Sequence, residues 1–275
     1  MAESPQVSVV MPVLHPHPQF FPEAVRSILG QTFQDWELII VEEPSDGPRV
    51  ADLLADVQDP RIRILTHSQR TSLVQQLNRG LEAALGPLIA RMDADDVAEP
   101  DRLQKQAESL NARPEVTVIG SQVTIIDEWG NCVAKRRYPT DHEAILTQLR
   151  RSNPLAHPAV MCRREAVLAV GGYCYEDYPA VEDYDLWCRM AQRGYRFANH
   201  PEALLRYRLH GSALKATKLR GLLRGTLAIK RRYFAGQGNI GDYLRYAAEI
   251  ALLGLPPSWV YGLFRRWTLE PVKTR

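Results

Sequence analysis

The first hundred residues alternate between two hydrophobic periods. Continuous apolar runs begin at Val7 and Trp36, and shorter runs follow at 61–65 and 88–92. Such runs are typical of strands buried on both faces of a parallel sheet. Between the last two runs, leucine recurs at every fourth position over 73–81, as on one face of a helix. The alternation predicts an α/β fold whose ligands bind beyond the carboxyl ends of the strands.

The pattern becomes mixed after Pro100. It predicts helices to about Asn111 and over 142–150 and 183–193, with strands near 116–126 and 159–163. From Thr217 onward, leucines alternate with lysines and arginines, which indicates a basic amphipathic helix, and a further helix is expected over 241–253.

The charge of the chain is unevenly distributed. The net charge is +2, but residues 1–200 hold 20 Lys and Arg against 28 Asp and Glu, whereas residues 201–275 hold 14 against 4. Such a basic tail could meet nucleic acid, anionic lipid or an acidic partner. Because the chain has neither an aromatic-interleaved RNA motif nor zinc-finger spacing, we expect no nucleic-acid partner.

Two aspartates follow the strand that ends near Met92. Asp93 and Asp95 are two positions apart on extended chain, so both carboxylates project to the same side. A hard divalent cation held by two carboxylates completes its shell with water and substrate phosphates, which favours a nucleotide diphosphate as ligand. The alternative is an acidic loop that caps the following helix.

A second acidic group lies at a predicted helix start. Glu182, Asp183 and Asp185 fall within four positions and repel one another, as acids in a functional site do. The alternative is that they only complement the helix dipole. The neighbouring Trp187 indicates that one face of this helix is buried.

Several motifs in a fixed order carry a family resemblance. They are Val7–Val13, Ser27-Ile-Leu-Gly-Gln31-Thr-Phe33, Trp36–Val41, Arg91-Met-Asp-Ala-Asp-Asp96, His157-Pro158, Gly171-Gly-Tyr173, Glu182–Trp187 and Tyr207-Arg-Leu-His210. The set resembles glycosyltransferase family 2 with the GT-A fold, over roughly residues 5–212.

The resemblance implies transfer of a sugar from a nucleotide-diphospho donor to an acceptor hydroxyl, with inversion at the anomeric carbon. Asp93 and Asp95 match the family's DxD motif, which orients Mg²⁺ or Mn²⁺ on the diphosphate. Asp183 matches the acid that serves as catalytic base, and Glu182 or Asp185 could instead be the base.

The resemblance also implies a nucleoside pocket. Its candidate residues are Pro12, Glu42, Asp46, Asn78 and Arg91, with Asp93. The family usually has aspartates where this chain has two glutamates at 42–43, which leaves the nucleotide open, with a UDP-sugar favoured. Asn78 could equally be a helix-surface residue, and Arg91 could be a solvated strand residue or an ion-pair partner of Asp93.

Three further residues are candidates near the reaction. His210 occupies a position where some relatives place a metal or diphosphate contact, although a lone histidine is often only a hydrogen-bonded residue. His157 and Trp187 are expected on the acceptor side, and His157 could equally be a turn residue at a strand start.

We therefore expect a GT-A domain over 1–212 and a basic helical tail over 213–275. The domain divides into a nucleotide-sugar-binding half, 1–110, and an acceptor half, 111–212. With neither an export signal nor a membrane span expected, we predict a cytoplasmic enzyme at the inner face of the cytoplasmic membrane, held to anionic lipid by its tail. The alternative for the tail is an ordinary C-terminal helix that packs on the domain with a solvated basic face. The acceptor would be a saccharide or lipid-linked, in cell-envelope polysaccharide or glycolipid synthesis.

Two other functions are compatible with parts of the pattern. A sugar-nucleotide pyrophosphorylase would use a related fold, but the first strand is followed by Leu14-His-Pro-His-Pro18 and not by a glycine-rich phosphate loop. A non-catalytic module that binds nucleotide-sugar or nucleic acid would explain the basic tail, but the complete set of carboxylates argues against it.

Overall fold

The computed structural model describes residues 4–174, 181–209, 216–238, 240–256, 259 and 270–271. Its first half contains β1 (Val7–Val13), α1 (Phe20–Leu29), β2 (Trp36–Glu42), α2 (Val50–Leu53), β3 (Ile62–Thr66), α3 (Leu73–Ala83), β4 (Leu88–Arg91), β5 (Val97–Ala98) and α4 (Arg102–Ala112).

The second half adds helices and strands in a less regular order. They are β6 (Val116–Ile126), β7 (Cys132–Arg136), α5 (His142–Leu149), a 3₁₀ turn (His157–Ala159), β8 (Met161–Arg163), α6 (Arg164–Ala169), α7 (Glu182–Gln192), β9 (Arg196–Arg208), α8 (Ala216–Phe234), α9 (Ile240–Leu252) and β10 (Glu270–Pro271).

Strands of the described residues join in one ten-stranded mixed sheet. Its order is β10-β7-β6-β8-β4-β1-β2-β3. The strands β1 to β4 are parallel, as the sequence predicts, whereas β8 runs antiparallel to β4. The long strand β9 lies parallel to β6 and also pairs with β5. The sequence pattern did not predict β9.

The parallel strands place their carboxyl ends at one edge. Val13 of β1 lies opposite Glu42 of β2, and Val10 lies opposite Arg91 of β4. Both faces of β1 and β2 are buried, which accounts for their uninterrupted apolar sequence. Helix α3 covers one face closely, since a Cβ atom at Gly80 would lie 2.4 Å from Cγ1 of Val10. The segments that leave these strands therefore meet at a single edge of the sheet.

Helix α8 packs on the core of the preceding domain. Ile229 and Tyr233 are buried in the same apolar cluster as Tyr184 and Trp187 of α7. Helix α9 differs, because none of its residues is buried. Among the described residues, no helix has the length and apolar character needed to span a bilayer. The predicted boundary at 212/213 lies outside the described residues.

Candidate active site

Three acidic side chains after β4 form a cluster. One carboxylate oxygen from each of Asp93, Asp95 and Asp96 lies within 4.8 Å of the others. Burial raises the pKa of Asp96, and the charges of Asp93 and Asp95 raise it further. Its Oδ2 is buried without a hydrogen-bond partner in the described part of the chain. Three close carboxylates of this kind suit a hard divalent cation.

Arg91, the last residue of β4, is buried beside this cluster. Its Nη1 lies 2.6 Å from Oδ2 of Asp93, and only 6% of its side chain is exposed. Burial lowers the pKa of Arg91, but the neighbouring Asp93 carboxylate outweighs this effect, so that the pKa is raised. Of the alternatives for Arg91, the structure shows the ion pair with Asp93.

Arg208, at the end of β9, forms hydrogen bonds with the acidic loop that contains Asp95 and Asp96. Its backbone N–H donates to Oδ1 of Asp96 at 2.8 Å, and its Nε donates to the carbonyl oxygen of Asp95 at 2.9 Å. Its Nη2 donates to Oε2 of Glu23 at 2.6 Å, and its guanidinium lies 4.5 Å from the centre of the Phe20 ring. The pairing of β9 in the sheet thus positions Asp95 and Asp96.

The second acidic group begins helix α7. Oδ2 of Asp183 accepts from Nδ2 of Asn153 at 2.5 Å, and Oδ1 accepts from the backbone N–H of Tyr184 at 2.7 Å. Burial, together with the charge of Glu182, raises the pKa of Asp183 to about 7 despite these hydrogen bonds. A carboxyl group that titrates near neutral pH is suited to accept a proton.

The charge of Arg91 acts on both acidic groups. Burial raises the pKa of Glu182, while the Arg91 guanidinium lowers it and the Asp93 carboxylate raises it. The same guanidinium lowers the pKa of Asp183. The cluster after β4 and the start of α7 therefore both lie near Arg91, and we call the region between them the cleft.

The charges of these acids also affect the pKa values of two tyrosines. Burial raises the pKa of Tyr207, and the charges of Asp96, Asp93 and Asp95 raise it further. Burial likewise raises the pKa of Tyr138, with a contribution from Asp183. Their hydroxyls are therefore neutral hydrogen-bonding groups near the cleft.

His157 lies beside Glu182 in the 3₁₀ turn. Its Nε2 lies 2.9 Å from the hydroxyl oxygen of Tyr173, and its Nδ1 lies 3.8 Å from Oε1 of Glu182. Burial lowers the pKa of His157 well below its ordinary value, and Arg91 lowers it further, so the imidazole is neutral. His157 thus occupies a turn, the alternative that its sequence position allows, and this turn lies next to Glu182.

Trp187 differs from its expected place on the acceptor side. Its side chain is fully buried, at 0% exposure, and its ring packs edge-on against His157 with 6.3 Å between the ring centres. In this structure the indole lies within the core, so Trp187 supports His157 by packing and does not line the surface.

Asp185 has a structural role that argues against its use as the base. Its Oδ2 accepts from Nε of Arg189 at 2.7 Å, and its Oδ1 accepts from the hydroxyl of Tyr233 at 2.6 Å. The residue is 1% exposed. Both oxygens are therefore engaged, and Asp185 links α7 to α8.

The predicted nucleoside residues lie at the ends of β1 and β2. The carboxylate of Glu42 accepts from Nε and Nη2 of Arg49 at 2.9 and 3.1 Å and from the backbone N–H of Val50 at 2.9 Å. The hydrogen bonds from Arg49 lower the pKa of Glu42. Pro12 is buried on β1, whereas Asp46 is exposed. Glu42 thus anchors the start of α2, and Asp46 is open to a ligand.

Two other polar residues hold loops near this edge. Glu43 accepts from the backbone N–H of Thr71 at 2.6 Å and from its hydroxyl. Nδ2 of Asn78 donates to the carbonyl oxygen of Tyr173 at 2.7 Å, and Oδ1 accepts from the N–H of Tyr173 at 2.9 Å. These bonds engage both polar atoms of Asn78, so the partly buried side chain fixes the turn before Tyr173, and its contact with the nucleoside stays a prediction.

Sequence reasoning missed two residues of the cleft. Arg208 belongs to the Tyr207–His210 motif, which was a usable signal. Asn153 precedes Pro154 in a loop, and this dipeptide predicts only a turn. His210, the predicted metal or diphosphate contact, lies outside the described residues.

The chain is similar in sequence to enzymes that transfer sugars. The family model described as Glycosyl transferase family 2 matches residues 8–170. Glycosyltransferase EpsE of Bacillus subtilis (strain 168) is 32% identical over 269 residues, which cover 97% of this chain and 95% of EpsE. The O-antigen biosynthesis glycosyltransferase WbnJ of Escherichia coli is 33% identical over 217 residues, covering 78% of this chain and 83% of WbnJ.

Solved structures share the fold. TarS 1–349 of S. aureus in complex with UDP has a TM-score of 0.61 at 13% identity, covering 89% of this chain and 70% of that chain. The mannosyltransferase PcManGT from Pyrobaculum calidifontis in complex with GDP-Man and Mn²⁺ has a TM-score of 0.59 at 16% identity, covering 96% and 81%. The predicted GT-A fold is thereby confirmed.

Replacing Asp183 by asparagine should change how stability depends on pH. The folded-state pKa of about 7 exceeds the ordinary 3.8, so ionisation of Asp183 opposes folding above pH 7, and this cost disappears as the pH falls to about 4. We therefore compare the free energy of unfolding of Asp183→Asn with that of the unmodified protein. The difference should shift in favour of the variant by on the order of 2–4 kcal/mol between about pH 4 and about pH 8.

Urea denaturation at each pH measures this difference. Asp35→Asn, at an exposed aspartate, is the control and should show no such trend. A difference between Asp183→Asn and the unmodified protein that stays constant with pH would contradict the raised pKa.

Removing the hydroxyl of Tyr233 should loosen α8 from α7. Tyr233→Phe leaves a buried oxygen of Asp185 without its donor, so the free energy of unfolding should fall by about 1.5–3 kcal/mol. Tyr243→Phe, at a ring that is 51% exposed, should change it by less than about 0.5 kcal/mol. Equally small effects of both substitutions in urea denaturation would argue against this link.

Proposed function

The chain belongs to glycosyl transferase family 2, and we propose that it is an inverting, metal-dependent enzyme that moves a sugar from a nucleotide diphosphate to an acceptor hydroxyl. One observation carries the proposal. The acidic cluster after β4 and the carboxyl group of Asp183, with a pKa of about 7, both lie near Arg91, whose charge acts on each of them.

Asp93 and Asp95 would hold a divalent cation, Mg²⁺ or Mn²⁺. The three clustered carboxylates and the unpartnered buried oxygen of Asp96 fit a hard cation with oxygen ligands. When bound, such a cation offsets the negative charge that develops on the leaving diphosphate. Arg91 orients Asp93, and Arg208 keeps the loop of Asp95 and Asp96 in place. A further contact from His210 stays a prediction.

Asp183 would accept the proton of the acceptor hydroxyl as that oxygen bonds to the anomeric carbon. Its hydrogen bonds to Asn153 and Tyr184 fix the orientation of the carboxylate. Attack from the side opposite the diphosphate inverts the anomeric configuration. Glu182 is the remaining alternative as base, and in the preferred assignment its charge serves to raise the pKa of Asp183.

The acceptor would enter beside the start of α7. His157 is neutral and hydrogen-bonded to the Tyr173 hydroxyl, so it supplies a fixed polar edge near Glu182. This position supports the assignment of His157 to the acceptor side, with Trp187 holding it from within the core.

A UDP-sugar is the donor that we favour. A UDP complex is known for one protein of this fold and a GDP-Man complex for another, so the fold is compatible with either nucleotide. Pro12 and Asp46 would contact the nucleoside, and Glu42 would act through the loop that it fixes together with Arg49.

The reaction would serve the synthesis of an envelope polysaccharide or glycolipid. WbnJ is named for O-antigen biosynthesis, which supports a saccharide or lipid-linked acceptor. The excess of basic residues after residue 200 would hold the enzyme to anionic lipid at the inner face of the cytoplasmic membrane. Similarity to named glycosyltransferases over most of the chain favours sugar transfer over a pyrophosphorylase or a non-catalytic module.

Removing either acidic group should slow transfer strongly. We expect Asp95→Ala and Asp183→Asn to lower the rate of transfer from a verified donor by about 10²–10⁴-fold, measured by release of nucleotide diphosphate. Asp35→Asn, at an exposed aspartate, should retain full activity. Full transfer by either site variant, shown to be folded by cooperative thermal unfolding, would rule out its assigned role.

Nucleotide binding should depend on the cation. In a thermal-shift panel of UDP, GDP, dTDP and CDP with Mn²⁺, Mg²⁺ or a chelator, one nucleotide at a hundred times its Kd should add about 2.7 kcal/mol of stability. We expect UDP to give this shift, with loss in chelator and in Asp95→Ala. A shift for UDP that survives the chelator would contradict the role of the acidic cluster.

A further inference from the structure

A cavity lies where α5 meets α8 and α9, apart from the catalytic cleft. Its volume is about 380 Å³, within the range of about 300–1,000 Å³ that small-molecule sites occupy. The end of α5, the last turns of α8 and the start of α9 line it, with Arg150, Arg231, Phe234 and Tyr246 among the lining side chains. None of the acids assigned to sugar transfer contributes to this lining.

The charge of the cavity is strongly positive. Its lining includes five cationic side chains and one carboxylate, that of Asp242. Lys230 pairs with Glu249 at 2.5 Å, and Arg151 lies 3.7 Å from Asp242. Arg150 and Arg231 have no acidic partner among the described residues. The cavity therefore carries guanidinium groups that the neighbouring acids do not neutralise.

An exposed apolar surface continues from the cavity along α9. Ile240 and Leu244 are 81% and 67% exposed and lie four positions apart, on one face of the helix. Tyr243, which is 51% exposed, belongs to the cavity lining and joins it to this face. A basic cavity beside an exposed apolar helix face is complementary to a molecule with an anionic head and a hydrocarbon chain.

We propose that this cavity binds the phosphate group of an anionic amphiphile whose hydrocarbon chain lies along the exposed face of α9. Arg150 and Arg231 donate hydrogen bonds to the phosphate oxygens, since a guanidinium group matches phosphate in geometry and charge. The phenol rings of Tyr243 and Tyr246 form the wall where the head group meets the chain. The site shares no residue with the proposed transfer reaction, and it rests on the proposed attachment of the basic tail to anionic lipid, for which it names the contact.

A calorimetric titration of the full chain in chelator tests the ligand chemistry. Dihexanoyl phosphatidic acid, used below its critical micelle concentration, supplies both phosphate and chain. Inorganic pyrophosphate lacks the chain, and dihexanoyl phosphatidylcholine lacks the anionic head. We expect phosphatidic acid to bind at least about tenfold more tightly than either of them.

The two comparisons separate the sources of affinity. Equal affinity for pyrophosphate would show that the hydrocarbon chain contributes nothing to binding. The proposal of an amphiphile would then be wrong, and the cavity would be a site for soluble phosphate. Equal affinity for phosphatidylcholine, in which choline offsets the charge of the phosphate, would overturn the recognition of an anionic head group.

Substitutions test whether the cavity is the site. Arg150→Gln/Arg231→Gln should weaken phosphatidic acid binding by about tenfold or more. Arg220→Gln/Arg224→Gln removes two exposed arginines of α8 that lie outside the lining, and this control should stay within about twofold. Unchanged binding by the cavity variant, or equal weakening by the control, would overturn the proposal. Melting temperatures establish that both variants fold.

The apolar face is tested separately. Leu244→Ser should weaken binding of phosphatidic acid by about three- to tenfold, because less apolar surface is buried on binding, and should leave binding of pyrophosphate unchanged. Leu85→Ser, at an exposed leucine outside the cavity, is the matched control. Equal binding by Leu244→Ser and the unmodified protein would exclude α9 as the surface for the chain.

Failure of this site and failure of the proposed reaction are distinguishable. Asp95→Ala, which should lack sugar transfer, should bind phosphatidic acid with unchanged affinity. Loss of amphiphile binding in Asp95→Ala would place the ligand in the catalytic cleft and overturn the separate site.

Discussion

The active cleft depends on the buried guanidinium group of Arg91. Arg91 lies at the carboxyl end of β4, pairs with Asp93, and lowers the pKa of both Glu182 and Asp183. Without a fixed positive charge, carboxylates this close in a buried cleft would take up protons, because like charges in low dielectric are costly. The backbone also fixes Arg91, whose N–H donates to the carbonyl oxygen of Val160 at 3.0 Å. The sheet thus sets where the charge lies, and the charge opposes the effect of burial on Glu182 and Asp183.

Much of the fold could be predicted because many strands and helices are specified by the hydrophobic pattern of their own residues. The strands β1 and β2 are buried on both faces, so their own residues form uninterrupted apolar runs. The strand β9 could not be predicted in this way, because its sequence mixes charged, polar and apolar residues and contains Pro201. Its extended conformation comes from pairing with β6 and β5, which are distant in sequence. Pairing between remote segments leaves no periodic signal in either one.

The same limit applies to the candidate site. The positions of Asp93, Asp95 and Asp183 follow from motifs that span a few residues. Which acid of α7 faces the cleft depends instead on packing, because two residues along a helix correspond to a rotation of about 200°. Asp185 is turned in this way toward Tyr233 of α8. The buried place of Trp187 and the contact between Asn78 and Tyr173 likewise depend on partners that no short window contains.

The contact between Arg208 and the acidic loop has a consequence for how the enzyme is made. Asp96 receives its backbone donor from a residue 112 positions later, and the carbonyl oxygen of Asp95 receives the Arg208 side chain from 113 positions later. A nascent chain on the ribosome therefore carries both acids long before the strand that holds them has been synthesised. Since contacts between such remote segments are slow to form, we expect the acidic loop to become ordered after the parallel sheet around it. An unfinished chain would then have the sheet but not the fixed carboxylates at its edge.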